Sequence, residues 1–368
     1  MNKPDDQRWM ALALSLGTRG LGQTWPNPAV GCVLVKDGRL LARGWTQAGG
    51  RPHAERHALS QLPTGAARGA TAYVTLEPCS HTGQTPPCAL ALIEAGLARV
   101  VVATGDPDPR VSGRGLVMLR DAGIEVVADV LAEEAIFAQQ GFLQRINLGR
   151  PMLTLKLASS FDGRIATATG ESQWITGPQA RQQVQALRAS HDAVMVGGST
   201  AREDLPSLTL RGMGERRQPV RVVVSSRLDI PTHGPLAEDD SGAPVWLLHG
   251  EAAPQDARKF WTDRGATLLQ VSDTPSGLDM AEAMGALAKA GLTRVLCEGG
   301  GSLAASLLTA EVVDHVVGFT AGVMLGRDGL PSLGALDYPS LADTPRFDLC
   351  ETRRIGEDTM HIWRRATS

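Results

Sequence analysis

His53-Ala54-Glu55, followed after a strand-like run by Pro78-Cys79-Ser80-His81-Thr82-Gly83-Gln84-Thr85-Pro86-Pro87-Cys88, is the stretch on which the reading of this chain turns. One imidazole, two thiols and a carboxylate outside the ligand set are what a zinc deaminase requires. Three protein ligands leave a fourth position for water, and a neighbouring Glu moves protons. His53 and Glu55 are two residues apart, which in a regular helix turns them to different faces. The pair is therefore expected where a helix begins, and Pro52 agrees, being tolerated in a first turn. Cys79 follows a strand over 70–76, at the edge where open α/β sheets place their ligands. The usual deaminase signature has two residues between its cysteines, whereas eight separate Cys79 from Cys88. Spacing alone leaves two readings open: a zinc site, or a buried Cys88 at a helix start with His53 on the surface. His57 and His81 are expected to support the site or to lie on the surface rather than to bind metal.

Outward from this stretch, strands are expected over 30–35, 40–44, 70–76, 100–104 and 125–127, and helices over 54–62, 88–95 and 114–122. That alternation describes a layered α/β domain. An opening helix from Asp5 to about Gly17 carries Trp9, Leu12, Ala13 and Leu16 at core spacing. Asn147-Leu148-Gly149-Arg150-Pro151 breaks the pattern and divides the chain into 1–147 and 151–368. In the second part, strands over 152–158, 193–196, 220–224, 245–248, 267–271, 294–298 and 315–320 alternate with helices over 178–189, 279–290 and 302–308. A mostly parallel sheet covered by helices follows. Segments 203–218 and 232–242 read as surface loops.

Length and composition agree with two domains, since 368 residues exceed one ordinary core. A hydrophobic content of 43% and a charged content of 20% are those of a globular protein. The net charge of −3 gives no electrostatic footprint for nucleic acid and favours a small-molecule substrate. Five scattered cysteines (Cys32, Cys79, Cys88, Cys297, Cys350) do not form a disulfide framework, so a reducing cytoplasm is expected. Met1 to Arg8 is polar, and no apolar run reaches membrane-spanning length, so neither an export signal nor a membrane anchor is expected.

Two Gly-rich turns mark the second domain: Val196-Gly197-Gly198-Ser199-Thr200, and Cys297-Glu298-Gly299-Gly300-Gly301-Ser302 ahead of a helix. Backbone N–H groups at such a helix start can cradle phosphate, which suggests a nucleotide cofactor. Neither turn is GxGxxG, so the ordinary dinucleotide fingerprint is absent. Taken alone, each turn is equally a plain connection.

The whole run from Thr75 to Cys88, with Asn27-Pro28-Ala29-Val30-Gly31 and His53-Ala54-Glu55-Arg56-His57-Ala58, resembles the deaminase half of the bifunctional riboflavin-biosynthesis deaminase-reductase family. Leu155 to Gly163, Gly170 to Thr176, Leu208-Thr209-Leu210-Arg211 and Glu298-Gly299-Gly300-Gly301 resemble its reductase half. The resemblance implies an N-terminal cytidine-deaminase-like three-layer α/β/α domain and a C-terminal dihydrofolate-reductase-like α/β domain. It further implies that His53, Cys79 and Cys88 hold zinc, that Glu55 shuttles protons and that Asn27 holds the pyrimidine edge. In the reductase half it implies NADPH contacts at Ala158, Trp174, Thr200, Asp204, Ser226, Gly300, Gly301, Ser302, Leu303, Ala304, Ala305 and Ser306. Substrate contacts are implied at Ser172, Arg188, Leu208, Arg211 and Glu298. Guanidinium forks at Arg188 and Arg211 suit a phosphorylated sugar. Ser225-Ser226-Arg227 could favour NADPH over NADH.

The implied activity is zinc-dependent deamination of 2,5-diamino-6-(5-phosphoribosylamino)pyrimidin-4(3H)-one, then NADPH reduction of the ribosyl group to give 5-amino-6-(5-phosphoribitylamino)uracil. A homodimer or larger assembly is implied as well. Two positions depart from the family's pattern. Gln84 stands where members often carry Lys or Arg, and Leu205 replaces the second of two adjacent acids before Pro206. Two rivals remain on the sequence: a nucleic-acid-editing zinc deaminase with an appended nucleotide-binding module, and a non-catalytic protein with a closed structural zinc.

Overall fold

The computed structural model describes residues 4–83, 86–109, 111–238 and 241–366. The chain forms two compact units, Met1–Gly149 and Arg150–Ser368. Unit 1 runs α1 (Pro4–Gly17), β1 (Gly31–Lys36), β2 (Arg39–Trp45), α2 (Ala54–Leu59), β3 (Thr71–Val74), α3 (Cys88–Glu94), β4 (Arg99–Val102), α4 (Arg114–Asp121), β5 (Glu125–Val127), α5 (Ala132–Ala138) and α6 (Gln140–Leu148). Its sheet has the order β2-β1-β3-β4-β5. β1 is antiparallel to both β2 and β3, whereas β3, β4 and β5 are parallel.

Each face of this sheet carries its own core. One packs Cys32, Leu34, Ala72, Val74, Val100 and Val102 against Ala54, Ala58 of α2 and Ala89, Leu92 of α3. The other packs Val33, Val35, Tyr73 and Val101 against Met10, Ala13 and Leu16 of α1. Alternate residues of β1 and β3 thus serve opposite faces, as the period of two requires. The result is the three-layer α/β/α domain implied by the family resemblance.

Two glycines set how closely the helices approach. A Cβ on Gly31 would collide with the Ala13 carbonyl oxygen of α1, and one on Gly44 with the Ala54 carbonyl oxygen at the start of α2. The second contact fixes the height at which α2 begins on the sheet. α2 is shorter than the expected 54–62, ending at Leu59, and Pro52 lies ahead of the His53 N-cap rather than inside the first turn.

Unit 2 continues with β6 (Met152–Ser160), β7 (Arg164–Ala166), α7 (Pro178–Ala189), β8 (Ala193–Gly197), α8 (Gly198–Asp204), β9 (Val220–Val224), α9 (Pro235–Glu238), β10 (Val245–His249), α10 (Gln255–Asp263), β11 (Thr267–Gln270), β12 (Asp273–Thr274), β13 (Gly277–Leu278), α11 (Met280–Lys289), β14 (Arg294–Cys297), α12 (Gly301–Thr309), β15 (His315–Ala321), β16 (Leu330–Pro331), β17 (Phe347–Ile355) and β18 (Asp358–Arg365). The nine-stranded sheet has the order β11-β10-β9-β8-β14-β6-β15-β18-β17. The seven strands from β11 to β15 are parallel, and the β17–β18 hairpin closes the edge antiparallel. The central parallel strands β8 and β9 are buried on both faces, which accounts for their continuous apolar runs.

Two loop expectations are corrected. Glu203 and Asp204 end α8 instead of opening a loop, and Leu208 inside the expected surface segment 203–218 is only 2% exposed. α9 interrupts the segment expected as a loop over 232–242. The departure at Leu205 has a local consequence, because this residue caps α8 in the left-handed region at φ 43°, a conformation that Asp or Asn adopts more readily than Leu. No helix among the described residues is long and apolar enough to cross a membrane.

Gly44→Ala is expected to cost roughly 1–3 kcal/mol by overpacking β2 against α2. Urea unfolding measures this, and an unchanged midpoint would show that α2 can shift without loss.

Candidate active sites

The zinc candidates meet through three separate devices. Gly44 lets α2 start at the sheet, so that His53 sits at its N-cap and Glu55 in its first turn. Glu77, just past β3, accepts the backbone N–H groups of Gly113 and Gly115, both at 2.9 Å, which ties the Cys79 backbone to the start of α4. Cys88 opens α3, and its backbone N–H points at the Cys79 sulfur from 3.3 Å. Arg56 of α2 donates twice to the Pro86 carbonyl oxygen, at 3.3 and 2.9 Å, and so anchors the end of the eight-residue insert. Gln84 within that insert lies outside the described residues.

His53 Nδ1 lies 3.7 Å from Cys79 Sγ and 3.4 Å from Cys88 Sγ. The three ligand atoms all fall within 4.8 Å of one another. Zinc bonds of about 2.1 Å to nitrogen and about 2.3 Å to sulfur, at a tetrahedral angle, separate the two donors by about 3.6 Å. The donor set and its spacing therefore fit zinc with a fourth position open. His57 is not part of this group; its Nδ1 instead meets the Gln47 amide at 2.9 Å and the Trp45 N–H at 3.4 Å.

The ionisable groups of the cluster act strongly on one another. Hydrogen bonding with the Cys88 thiol pulls the Cys79 thiol down to about 4, and the His53 imidazole is raised, first by its contact with Cys79. The Cys88 thiol is pushed well up by the same contact with Cys79 and by burial. Glu55 is 3% exposed, and burial raises its carboxyl, with the Cys79 charge adding to the effect. A cavity of about 300 Å³ opens on this group, lined by Asn27, His53, Glu55, Cys79, His81, Asp106 and Asp108 among others. Asn27 lines the cavity, and its Nδ2 donates to the Gly50 carbonyl oxygen at 3.3 Å. Asp106, which the sequence reading missed, has its carboxyl raised to about 6, chiefly by burial. The Asp-Pro-Asp-Pro turn at 106–109, directly after β4, was the signal available for it.

In unit 2 two cavities share a wall. The first, of about 620 Å³, gathers Ala158, Ser172, Trp174, Arg188, Thr200, Asp204, Leu208, Arg211 and Glu298. The second, of about 960 Å³, gathers Ala158, Ser172, Thr200, Asp204, Glu298, Gly300, Gly301, Ser302 and Ala304. Ser226, Leu303, Ala305 and Ser306 line neither; Leu303 and Ala305 are buried, and the Ser306 hydroxyl donates to the Ser302 carbonyl oxygen. Gly299 is forced by packing, since its Cβ would lie 2.6 Å from Val196 Cα.

Arg188 and Glu298, both expected at the substrate, line the first cavity together. They form a largely buried, two-pronged ion pair at 2.6 and 2.9 Å, and Arg188 also donates to the Thr209 carbonyl oxygen. Arg211 is the more available guanidinium, exposed and held by the Ser207 hydroxyl at 2.6 Å. Lys156 lines both cavities, and burial lowers its amine despite the field of Glu298. The sequence reading missed it, although a lysine between Leu155 and Leu157 of a central strand was a visible signal.

These features define the class: a cytidine-deaminase-type zinc domain followed by a dihydrofolate-reductase-like nucleotide-binding domain. Residues 151–361 match the RibD C-terminal domain family, and residues 3–104 match the cytidine and deoxycytidylate deaminase zinc-binding region. The riboflavin biosynthesis protein RibD of Escherichia coli (strain K12) is 43% identical over 373 residues, covering 97% of this chain and 99% of the relative. That of Haemophilus influenzae is 42% identical, with 95% of each chain covered. Acinetobacter baumannii RibD, form 1, superposes with a TM-score of 0.88 at 37% identity, with 99% of both chains covered. A Thermotoga maritima structure titled a diaminohydroxyphosphoribosylaminopyrimidine deaminase/5-amino-6-(5-phosphoribosylamino)uracil reductase gives 0.85 at 33% identity, covering 98% of this chain and 99% of that one. The chain belongs to the riboflavin biosynthesis protein RibD family. These relatives favour the deaminase-reductase reading over the nucleic-acid-editing one.

Arg188→Met is expected to cost roughly 3–5 kcal/mol by leaving Glu298 buried without a counter-charge. Adding Glu298→Met should return most of that loss in urea melts, and an additive double variant would show that the two side chains do not act as a pair.

Proposed function

We infer that the cavity of unit 1 deaminates 2,5-diamino-6-(5-phosphoribosylamino)pyrimidin-4(3H)-one and that the cavities of unit 2 reduce the ribosyl group of the product. The chain is a deaminase and a reductase of riboflavin biosynthesis, with zinc and NADPH as its cofactors. In this reading deamination belongs to residues 1–147 and reduction to 151–368. The observation that carries it is the convergence of His53 Nδ1, Cys79 Sγ and Cys88 Sγ beside a buried Glu55 at the cavity wall.

His53, Cys79 and Cys88 would hold zinc, which supplies Lewis acidity that brings the pKa of a water toward neutrality. Glu55 takes the proton of the attacking water and returns it to the departing ammonia, and burial suits its carboxyl to both tasks. The Asn27 amide holds the pyrimidine edge, and Asp106 with Asp108 lies within the same cavity to meet ring N–H groups.

In unit 2, Gly300, Gly301, Ser302, Ala304, Thr200 and Ala158 would hold NADPH, which supplies the hydride. The remaining expected contacts, Trp174 on the neighbouring cavity and Ser226, Leu303, Ala305 and Ser306 off both, would reach the cofactor through backbone groups or at its periphery. Arg211 and Ser172 would hold the sugar phosphate, with Leu208 beneath it, while the Arg188–Glu298 pair forms the floor. Lys156 and Asp204, on the wall shared by the two cavities, would carry the proton that the ribose ring oxygen takes as the ring opens and hydride reaches C1. The protein is read as a cytoplasmic enzyme working as a homodimer or larger assembly.

Incubation with the diaminopyrimidine ribosyl phosphate and NADPH should release ammonia and then oxidise NADPH, with chelation stopping the first. Absence of ammonia release from zinc-loaded protein would refute the deaminase assignment. Glu55→Gln should retain zinc yet lose deamination by roughly 10²–10⁴-fold. Lys156→Met should slow NADPH oxidation by a similar factor without loosening NADPH, and a wild-type single-turnover rate would remove Lys156 from the reaction.

A further inference from the structure

One wall of the second cavity in unit 2 is a strap, residues 322–334, that follows β15. Leu330, Pro331 and Ser332 of the strap line that cavity together with Gly300 and Gly301. Gly334 donates its N–H to the Gly301 carbonyl oxygen at 2.8 Å, and a Cβ on Gly301 would lie 3.1 Å from Gly334 N. The strap therefore rests directly on the first residue of α12. Its β16 pairs with β7, Leu330 opposite Ala166 and Pro331 opposite Arg164. Within 322–334 Gly329 alone is buried, and Val323, Met324 and Leu330 are exposed. With so little apolar surface covered, hydrogen bonds must hold the strap in place.

Asp162, in the turn between β6 and β7, supplies the strongest of them. Its carboxylate accepts the Leu325 N–H at 3.1 Å and the Gly326 N–H at 2.7 Å, and a third bond comes from the Ser160 hydroxyl at 2.6 Å. Ser160 is buried, and its oxygen in turn accepts the Arg164 N–H at 2.9 Å, so Asp162 is fixed to the end of β6 and to β7 alike. The Ser160 hydroxyl first, then the two N–H groups, hold the Asp162 carboxyl down at about 2. Main-chain bonds flank the clip, from the Phe161 N–H to the Val323 carbonyl oxygen and from the Ser332 N–H to that of Gly163. Among the described residues no other side chain bonds to the strap, and Asp162 itself lines neither cavity. We propose that Asp162 is a positioning residue of the reductase: by clipping Leu325 and Gly326 it sets the strap against Gly301 and keeps the cofactor cavity in the shape that NADPH binds. The proposal rests on the reductase reading given above. Its effect falls on NADPH affinity, and neither on deamination nor on hydride transfer once NADPH is bound.

The test uses the zinc-loaded full-length chain, Asp162→Ala and Asp162→Asn variants, and NADPH itself as the probe. Binding is read from the fluorescence of the reduced cofactor, and amide hydrogen exchange is followed over 322–334 and over the rest of unit 2. Asp162→Ala should weaken NADPH binding by roughly tenfold and raise the KM for NADPH alike, because the charge-assisted bonds to the strap are gone. At saturating NADPH its kcat should change little, and exchange should quicken over the strap alone. Asp162→Asn keeps one carbonyl oxygen as an acceptor and should fall between the wild type and the alanine variant. Ammonia release should match the wild type in both. The proposal is overturned if both variants bind NADPH as tightly as the wild type, or if kcat falls while NADPH affinity is kept. Faster exchange throughout unit 2 would also overturn it, by making Asp162 a support of the whole domain. A wild type that neither binds nor oxidises NADPH would overturn the reductase reading itself.

Discussion

Unit 1 is organised around one requirement: an imidazole nitrogen and two sulfurs from three separate segments must come within bonding reach of a single ion. No one element supplies two of the three. The N-cap of α2, the turn after β3 and the first residue of α3 must each be held in place independently. Gly44 does this for α2, Glu77 for the turn, and Arg56 for the approach to α3. Each of these three restraints acts on backbone atoms, and Cys79 is the ligand whose side chain is also held, its sulfur facing the Cys88 N–H at 3.3 Å. The ligands stay available because the work of positioning them is done next door.

Unit 2 solves a different problem. Its sheet gathers apolar strands side by side, and the polar groups of the cavity must survive in that surrounding. The Arg188–Glu298 pair does so by mutual neutralisation, with Thr209 taking a further donor. Lys156 is treated otherwise: it stands near Glu298 but is still destabilised as a cation by burial. A charge that is matched serves as structure, and one that is only partly matched can give up its proton.

How much of this was legible depended on what each residue type does to a pattern. The parallel strands of unit 2 were visible as apolar runs, and the helix start at His53 followed from two residues that cannot share a helical face. β17 was invisible because it has no buried face: its residues from Asp348 to Arg354 are all exposed, so period two leaves no trace. α5 and α6 were passed over, and the expected break beginning at Asn147 falls inside α6, which ends at Leu148 and is capped by Gly149 in the left-handed region. That Arg188 and Glu298 pair with each other was not legible, because 110 positions separate them in sequence and nothing local shows that they face one another. Asp106 and Lys156 were readable as polar residues beside strand cores, yet only the cavities give them a task.

The strand order carries a consequence for synthesis. Every strand of the unit 1 sheet has left the ribosome once residue 127 has emerged, and its last helix ends at Leu148, so this unit can fold while the remainder is still being made. The order in unit 2 forbids that economy. β6 emerges first, but its two partners are β14, at Arg294–Cys297, and β15, at His315–Ala321. Its apolar central strand therefore waits through more than a hundred residues of translation before either neighbour exists to cover it. The nascent reductase half is thus exposed to misassociation and to chaperones for far longer than the deaminase half that precedes it.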